Sequence, residues 1–355
     1  VEEMALAVSR AVAPERRLLN EPFPRFTYRE AMDRFGSDKP DVRYGMELHD
    51  LGALAGESGF RVFESVLADG GRVFGLAAPA LGGYTRKQID ELTESAKKAG
   101  AGGLVWLALD VEGGIRGSIV KIVGERMAQD LAAEAGAQNG DLVLIVADQD
   151  IVAQEVLGTL RVELAERHEL FDRSVLSYVW VYQFPMYQWD EDNQRWDATH
   201  NPFSAVLPED EALMTTSSGD PLIASRDDPA GKARAQQYDI ALNGWELGGG
   251  SVRFHTREML SKSFALMGHS AAAQEEQFSG ILEAFEYGAP PHGGIALGVD
   301  RWIALMTDQS NIREVMAFPK TSSGSDLMLD APSPIHADQL DELGLQLKPT
   351  EPPTR

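Results

Sequence analysis

Residues 293–301 read GGIALGVDR, an apolar run punctuated by glycine that ends on an Asp-Arg pair. The run is short enough to form one buried strand. Because glycine is disfavoured inside strands, these glycines indicate that another backbone or a flat ligand passes close to the run. Arg301 would then meet that ligand. The residues that follow, DRWIALMT, are expected to form a helix behind the strand.

The length and composition of the chain predict a globular protein of more than one domain. Its 355 residues are enough for two or three domains, each with its own core. Hydrophobic residues make up 43% and charged residues 25%, which excludes the disordered class. No apolar run approaches a membrane span, and the first residues lack the basic flank and apolar core of a signal peptide. We therefore expect a cytoplasmic location and no membrane contact.

The charged and metal-binding residue types exclude several classes of function. The chain has no cysteine, which excludes disulfides and thiolate metal sites, and its seven His residues never show a zinc-protease spacing such as HExxH. A net charge of -23 argues against non-specific binding of nucleic acid, although it leaves room for a local basic groove.

Changes of pattern along the chain divide it into three segments. Residues 1–60 contain short helices and loops, and residues 61–170 alternate between strand and helix patterns. We expect the second segment to be an inserted α+β domain that closes on itself. Residues 171–355 return to strands and helices and include the GGIALGVDR run. The first and third segments would then form one domain around the insertion.

Local signals within these segments predict particular elements. Thr85 is a plausible helix N-cap and Gly100 a helix stop. Residues 178–203 read as two strands joined by an acidic turn, and residues 208–232 as a mobile surface loop. The opening residues predict a helix with one apolar face, made of Met4, Ala5, Val8 and Val12.

Two acidic residues in the stretch YDIALNGWELGGGSVR are candidates for binding a cation. Asp239 and Glu246 are seven positions apart, so on a regular strand they face opposite ways. A bulge or kink, which Asn243-Gly244 would supply, is needed to bring them together. Two carboxylates beside a triphosphate would suit Mg²⁺. The alternative is two exposed acids on an edge strand, and the following Gly248-Gly249-Gly250 run matches no dinucleotide or P-loop pattern.

Taken together, five stretches resemble the bacterial type of aspartyl-tRNA synthetase. The GGIALGVDR run resembles the third signature of class II synthetases, a strand followed by a helix that carries an arginine in its first turn. The resemblance implies an α+β fold with the class II antiparallel sheet flanked by helices. It also implies that the inserted segment is similar to a domain shared with the B subunits of tRNA-dependent amidotransferases. The five stretches are PFPRFTYREAMDRFGSDKPDVRYG, THNPFS, NGWELGGGSVRFH, EAFEYGAPPHGGIALGVDR and NIREVMAFPKT.

Carried over position by position, the resemblance implies roles for four residues around the amino acid and the metal. Glu246 and Asp239 resemble the ligands of Mg²⁺ and ATP. Arg253 resembles the residue that forks onto the side-chain carboxylate of aspartate, which rejects asparagine because an amide offers only one acceptor oxygen. His200 resembles a second contact to the amino acid. The family usually has two His residues before the proline, and Asn201 replaces the second of them here.

The resemblance also implies an ATP site at the strand-helix junction. Arg301 would pack its guanidinium on adenine and phosphate, which lysine cannot copy. Together with Glu246 it is the candidate catalytic residue. The other residues expected to contact ATP are Gly298, Val299 and Asp300.

The activity that the resemblance implies is the activation of L-aspartate with ATP to aspartyl-adenylate and its transfer to tRNA(Asp), by a homodimer in the complete enzyme. The anticodon-binding barrel and the first two signatures of the family are not found, so the sequence resembles a C-terminal part. The only RDD, residues 226–228, is interpreted as surface. Because the second signature supplies the arginine on the α-phosphate, we expect little activity from this chain alone.

Two other functions are compatible with the residues. The first is a non-catalytic paralogue that binds aspartate or ATP and regulates a partner, which the missing second signature favours. The second is an ammonia-dependent asparagine synthetase on the same fold, which the inserted segment disfavours.

Overall fold

The computed structural model of the protein describes residues 1–348, which fall into two compact units, one of residues 1–299 and one that begins at Asp300. The helices are α1 (Glu2–Val12), α2 (Tyr28–Phe35), α3 (Gly52–Glu57), α4 (Arg61–Ala68), α5 (Arg86–Lys98), α6 (Val120–Val123), α7 (Glu125–Glu134), α8 (Asp150–Arg167), α9 (Arg257–Leu266), α10 (Ala271–Glu286), α11 (Val299–Met306) and α12 (Ala337–Glu342). The strands are β1 (Arg17–Leu18), β2 (Arg25–Thr27), β3 (Leu48–Asp50), β4 (Arg72–Ala78), β5 (Val105–Leu109), β6 (Ile115–Gly117), β7 (Leu142–Asp148), β8 (Val175–Leu176), β9 (Tyr178–Tyr182), β10 (Tyr187–Asp190), β11 (Arg195–Ala198), β12 (Gln237–Leu242), β13 (Trp245–Val252) and β14 (Gly293–Leu297). In this part of the chain no helix is long and apolar enough to cross a membrane.

The first sheet has the strand order β14-β13-β12-β9-β2. Its neighbours pair antiparallel except β2 and β9, which run parallel. The predicted class II antiparallel sheet is therefore present, with one parallel pair at its edge that the sequence did not indicate. Helices flank it: Ser9 of α1 hydrogen-bonds the hydroxyl of Tyr178 at 2.8 Å, and Ala31 of α2 packs on Val181.

The glycines of β13 and β14 allow their two backbones to come close together. A Cβ atom on Gly250 would lie 1.8 Å from the carbonyl oxygen of Gly294, and one on Gly248 would lie 2.4 Å from that of Ala296. This is the close backbone approach predicted for the GGIALGVDR run, and the predicted helix follows as α11. The expectation of a buried strand is wrong, because β14 is the edge strand of its sheet and Gly293, Gly294 and Ala296 are exposed.

Replacing Gly250 with alanine is expected to lower the free energy of unfolding by about 1–3 kcal/mol, since the new methyl group must push two paired strands apart. Urea denaturation measures the change. Gly294→Ala is the matched control, because a Cβ atom at that position meets no atom within 4 Å. Equal losses of stability in the two variants would contradict this packing.

The second sheet has the strand order β3-β4-β7-β5-β6, and all its neighbours are antiparallel. Helices α5 and α8 pack on one face, and α3 and α7 pack on the other. Thr85 caps α5 as predicted, and Gly100 follows that helix with φ of 113°. The segment limits at residues 61 and 170 stay a prediction. The edge strand β3 precedes the first of these limits.

Three local predictions differ from the structure. Residues 178–203 contain three strands instead of two, because β9 joins the first sheet and only β10 and β11 form the hairpin with the acidic turn. The buried residues of α1 are Ala5 and Ser9, whereas Met4 and Val12 are exposed, because the polar contact of Ser9 to Tyr178 sets which side faces the sheet.

The third difference concerns residues 208–232, which contain two 3-10 turns, Pro208–Leu213 and Pro229–Lys232. The expectation that Asp228, the last residue of the RDD at 226–228, lies on the surface is wrong, because it is only 3% exposed. Its carboxylate accepts hydrogen bonds from the backbone N–H groups of Ser217 and Ser225, and this fixes the turn.

Candidate functional site

Asn243 and Gly244 form the two-residue turn of the hairpin that joins β12 to β13. Their φ values are 50° and 84°, positive values that asparagine and glycine tolerate best. The break expected at this pair is therefore present, but it is a full reversal of the chain and not a kink within one strand. The two carboxylates lie on neighbouring strands instead of along one.

The hairpin brings Glu246 to the face of Asp239. Ala241 lies opposite Glu246, and residues opposite each other share a face, as do residues two apart on one strand, so Asp239 and Glu246 project to the same side. A β-bulge follows, because the register shifts between Ile240 and Ala241 and Leu247 is the extra residue. The reversal of the chain, and not the bulge, therefore makes the two carboxylates converge, whereas the bulge places Gly249 and Ser251 on their face.

The electrostatics of this pair suit a divalent cation. Burial and then the negative charge of Glu246 raise the pKa of Asp239 to about 7, and this residue is only 9% exposed. Gly249 lies opposite Asp239, and a Cβ atom there would lie 2.4 Å from its carboxylate oxygen. Within residues 1–348, no group of three or more His, Asp or Glu side chains is arranged to hold a metal ion. Two carboxylates fit Mg²⁺ when phosphate oxygens and water complete its shell.

Raising the pH from 5 to 8 is expected to destabilise the metal-free protein through Asp239. The unfolded chain ionises this residue near its ordinary pKa of 3.8, whereas the folded chain does so only near pH 7. The folded state therefore holds the proton more tightly, and the stability that this gives is present below pH 3.8 and is lost as the pH rises to 7.

The variant Asp239→Asn lacks this titrating group. Its free energy of unfolding, relative to that of the unsubstituted protein, should therefore rise by about 2–4 kcal/mol between pH 5 and pH 8. Urea denaturation in EDTA, repeated at each pH, measures the difference. Two parallel pH profiles would contradict the raised pKa.

Arg253 follows the last residue of β13, and its backbone N–H donates to the carbonyl of His292 at 2.9 Å. Gly249 lies opposite Asp239, and Ser251 and Arg253 follow it at intervals of two residues. Because alternate residues of a strand share a face, Arg253 lies on the face of Asp239. Ser251 on that face is buried and accepts a hydrogen bond of 2.8 Å from the hydroxyl of Ser204. The register thus places Arg253 on the same face of the sheet as Asp239 and Glu246.

His200 follows β11 in a loop that the next residue, Asn201, stabilises. Its imidazole packs edge-to-face on Phe184 at 5.2 Å between ring centroids. The packed side of the ring loses water, and this desolvation lowers the pKa of His200 although the residue is solvent-accessible. Asn201, the departure from the family pattern, accepts a hydrogen bond from the backbone N–H of Phe203 and so shapes the turn.

Asp38 and Lys39 lie within electrostatic range of the site, although no pattern in the sequence gives them a role there. The charges of both act on the pKa of Asp239 and on that of His200. Their side chains form an ion pair of 3.5 Å. Both residues belong to the loop SDKPD, residues 37–41, whose dense charge is its only signal in the sequence. About 200 positions separate this loop from Asp239, so the sequence does not show that the two lie within electrostatic range.

The residues predicted to contact ATP are divided between the two units. Gly298 follows β14, and its N–H donates to the carbonyl of Leu247 at 2.7 Å. Val299 is exposed. Asp300 and Arg301 belong to the second unit, where both are exposed in the first turn of α11. The roles of these four residues stay predictions.

The chain matches the family described as tRNA synthetases class II (D, K and N) over residues 1–322. An aspartate–tRNA(Asp/Asn) ligase of Bacillus mycoides (strain KBAB4) is 47% identical over 330 residues, which are 93% of this chain and 54% of that relative. The relative of the same name from Bacillus thuringiensis (strain Al Hakam) is 46% identical over 334 residues, 94% and 54% of the two chains. This chain therefore spans about half the length of these relatives.

Among solved structures, the asparaginyl-tRNA synthetase of Entamoeba histolytica in complex with asparaginyl-adenylate aligns with a TM-score of 0.30 at 16% identity. The alignment covers 46% of this chain and 28% of that one. This similarity is too low to support an argument about the site.

Proposed function

Since the chain belongs to the class II tRNA synthetases (D, K and N), we propose that it is an aspartate–tRNA ligase, which activates L-aspartate with ATP and transfers it to tRNA(Asp). The observation that carries the proposal is the position of Arg253 on the same sheet face as Asp239 and Glu246. The printed names of the two Bacillus relatives support the same amino acid.

Arg253 distinguishes among the amino acids that this family uses. A planar guanidinium donates two parallel hydrogen bonds to a carboxylate, which aspartate offers. Asparagine offers one acceptor oxygen together with an NH₂ group that would face a cation, and the ammonium of lysine is repelled. The site therefore favours aspartate by charge as well as by hydrogen bonding.

In the first step, the α-carboxylate of aspartate attacks the α-phosphorus of ATP, so that aspartyl-adenylate forms and pyrophosphate leaves. Arg253 orients the amino acid, and His200, with its lowered pKa, offers a neutral imidazole at pH 7. Asp239 and Glu246 would hold Mg²⁺, which stabilises the charge that develops on the phosphate oxygens. Preorganised groups of this kind lower the barrier mainly by positioning and electrostatics.

The remaining parts of the proposal concern ATP, tRNA and assembly. Arg301 and the residues around it would bind adenine and phosphate, as their resemblance to the third signature implies. We also propose a homodimer of the complete enzyme, as the resemblance implies, and a cytoplasmic location, because aminoacylation serves translation. The relatives are named for tRNA(Asp/Asn), so tRNA(Asn) is a second possible acceptor.

Charging of tRNA transcripts with labelled L-aspartate tests this proposal. The chain is assayed as it stands and joined to the N-terminal part of the Bacillus mycoides relative. Aspartyl-tRNA(Asp) is the expected product, and parallel charging of tRNA(Asn) defines the acceptor range. Asparagine formed from aspartate and ammonia would establish the synthetase alternative instead. Binding of aspartate without any turnover in the joined protein would establish the non-catalytic one.

A further inference from the structure

The loop of residues 36–46, which joins α2 to β3, is held by a buried arginine of another element. Arg161 of α8 is 1% exposed. Its guanidinium binds four backbone carbonyls between residues 41 and 46 and so fixes the path of this part of the loop. Its N–H groups donate to the backbone carbonyls of Asp41, Tyr44, Gly45 and Met46 at 2.8, 3.1, 2.9 and 3.0 Å.

Aromatic rings enclose the same guanidinium. Its carbon lies 4.1 Å from the ring centroid of Tyr44 and 5.2 Å from that of Phe35. Burial lowers the pKa of Arg161, which shows that its position is costly for a charge. Burying a cation has a desolvation cost, so replacing Arg161 with an apolar residue would serve the stability of a core at least as well. A buried guanidinium that donates to the backbone carbonyls of one loop instead fixes the course of that loop.

A second contact fixes the start of the loop on α8. Gly36 ends α2 with φ of 63°, and a Cβ atom on Gly158 would lie 2.2 Å from the carbonyl oxygen of Gly36. The amide of Gln154 donates to the carboxylate of Asp33 at 2.7 Å. Helix α8 itself is anchored in the second sheet, where fully buried Leu157 packs in the same core as Leu144 and Phe74.

The other side of the loop faces the candidate site. The Cβ position of Gly244, in the turn between β12 and β13, lies 3.3 Å from Cβ of Asp41. Asp41 is buried and pairs with Arg43 at 2.6 Å. The loop therefore rests on the hairpin that carries Asp239 and Glu246.

We propose that Arg161 is a positioning residue of the candidate site: it holds loop 36–46 against the β12–β13 turn and so keeps Asp38 and Lys39 within electrostatic range of Asp239 and His200. The second sheet and its helix α8 thereby control the geometry of a site built on the first sheet. The kinetic part of this inference rests on the proposed aspartate–tRNA ligase activity. The structural part is independent of it.

Arg161→Met tests the inference, with Arg161→Lys as a variant that keeps the charge and donors if the first fails to fold. Val156→Ala is the matched control, because Val156 is fully buried on the same helix in the core of the second sheet. We expect Arg161→Met to increase hydrogen exchange in residues 36–46 and to shift the NMR signal of ¹³C-labelled His200. In the protein joined to the N-terminal part of the Bacillus mycoides relative, its kcat/KM for aspartate should fall about ten-fold further than that of Val156→Ala. Arg161→Lys should recover part of each effect.

The outcomes separate this inference from the proposed function. Unchanged exchange in residues 36–46, or the same changes in Val156→Ala, would overturn the role of Arg161. Loosening of the loop with an unmoved His200 signal and control-like kinetics would overturn it as well. If the unsubstituted chain, joined to the N-terminal part of the Bacillus mycoides relative, shows no aspartate activation, the proposed function fails. The exchange and His200 measurements then decide the role of Arg161 alone.

Discussion

Replacing Arg253 with leucine is expected to lower kcat/KM for L-aspartate by about a thousand-fold, because the substrate carboxylate loses two charge-assisted hydrogen bonds in a partly buried site. The sheet itself should remain intact, since the backbone bond from Arg253 to His292 does not involve the side chain. Aspartate-dependent exchange of pyrophosphate into ATP gives the two kinetic parameters separately. Arg253→Lys should recover only a small part of the loss, because an ammonium cannot form the planar fork.

Arg257→Leu is the matched control for this experiment. Arg257 lies four positions further along the chain, and its side chain pairs with Glu275 and Glu286 at 3.1 and 3.0 Å on the surface of α9 and α10. Its loss should leave aspartate kinetics within about two-fold, as exposed ion pairs contribute little. Near-normal activation of aspartate by Arg253→Leu would remove Arg253 from the substrate site.

Replacing Glu246 with glutamine is expected to lower the rate of pyrophosphate exchange by about a hundred- to a thousand-fold, because the side chain keeps its shape but loses the charge that binds Mg²⁺. The apparent requirement for Mg²⁺ should rise at the same time. A second effect needs no activity. Because the charge of Glu246 helps to raise the pKa of Asp239, the pH-dependent destabilisation of the metal-free protein should become smaller.

Glu258→Gln controls for the general effect of removing one carboxylate. Glu258 is exposed in the first turn of α9, outside the face of the first sheet that carries the candidate site. Its replacement should change neither the exchange rate nor the Mg²⁺ requirement. A Glu246→Gln variant with normal Mg²⁺ dependence would show that Glu246 is not a metal ligand.

Periodicity and spacing predicted where helices and strands form better than they predicted which of their residues are buried. The GGIALGVDR run gave the correct strand and helix, but its burial was wrong because β14 is an edge strand. Strand order depends on which segments pair, and the pattern of residues within one segment does not show that. The helix pattern of α1 likewise could not show that Ser9, through its bond to Tyr178, faces the sheet.

The site shows the same division between local and tertiary information. The odd spacing of Asp239 and Glu246 correctly required a break in the strand between them, because it follows from strand geometry alone. That break is the turn at Asn243-Gly244, which pairs β12 with β13, and the bulge at Leu247 depends on this pairing and was not predicted. Lys39 and Arg161 act through contacts between segments far apart in the chain, and nothing in their local patterns separates them from exposed cations.

The most direct test of the central claim is the exchange of labelled pyrophosphate into ATP with L-aspartate, L-asparagine or L-lysine as the only amino acid. It is measured on the chain as it stands and on the chain joined to the N-terminal part of the Bacillus mycoides relative. The account predicts exchange in the joined protein that depends on L-aspartate and is at least about a hundred-fold weaker with L-asparagine. Exchange that instead depends on L-asparagine or L-lysine, or none with L-aspartate in the joined protein, would contradict it.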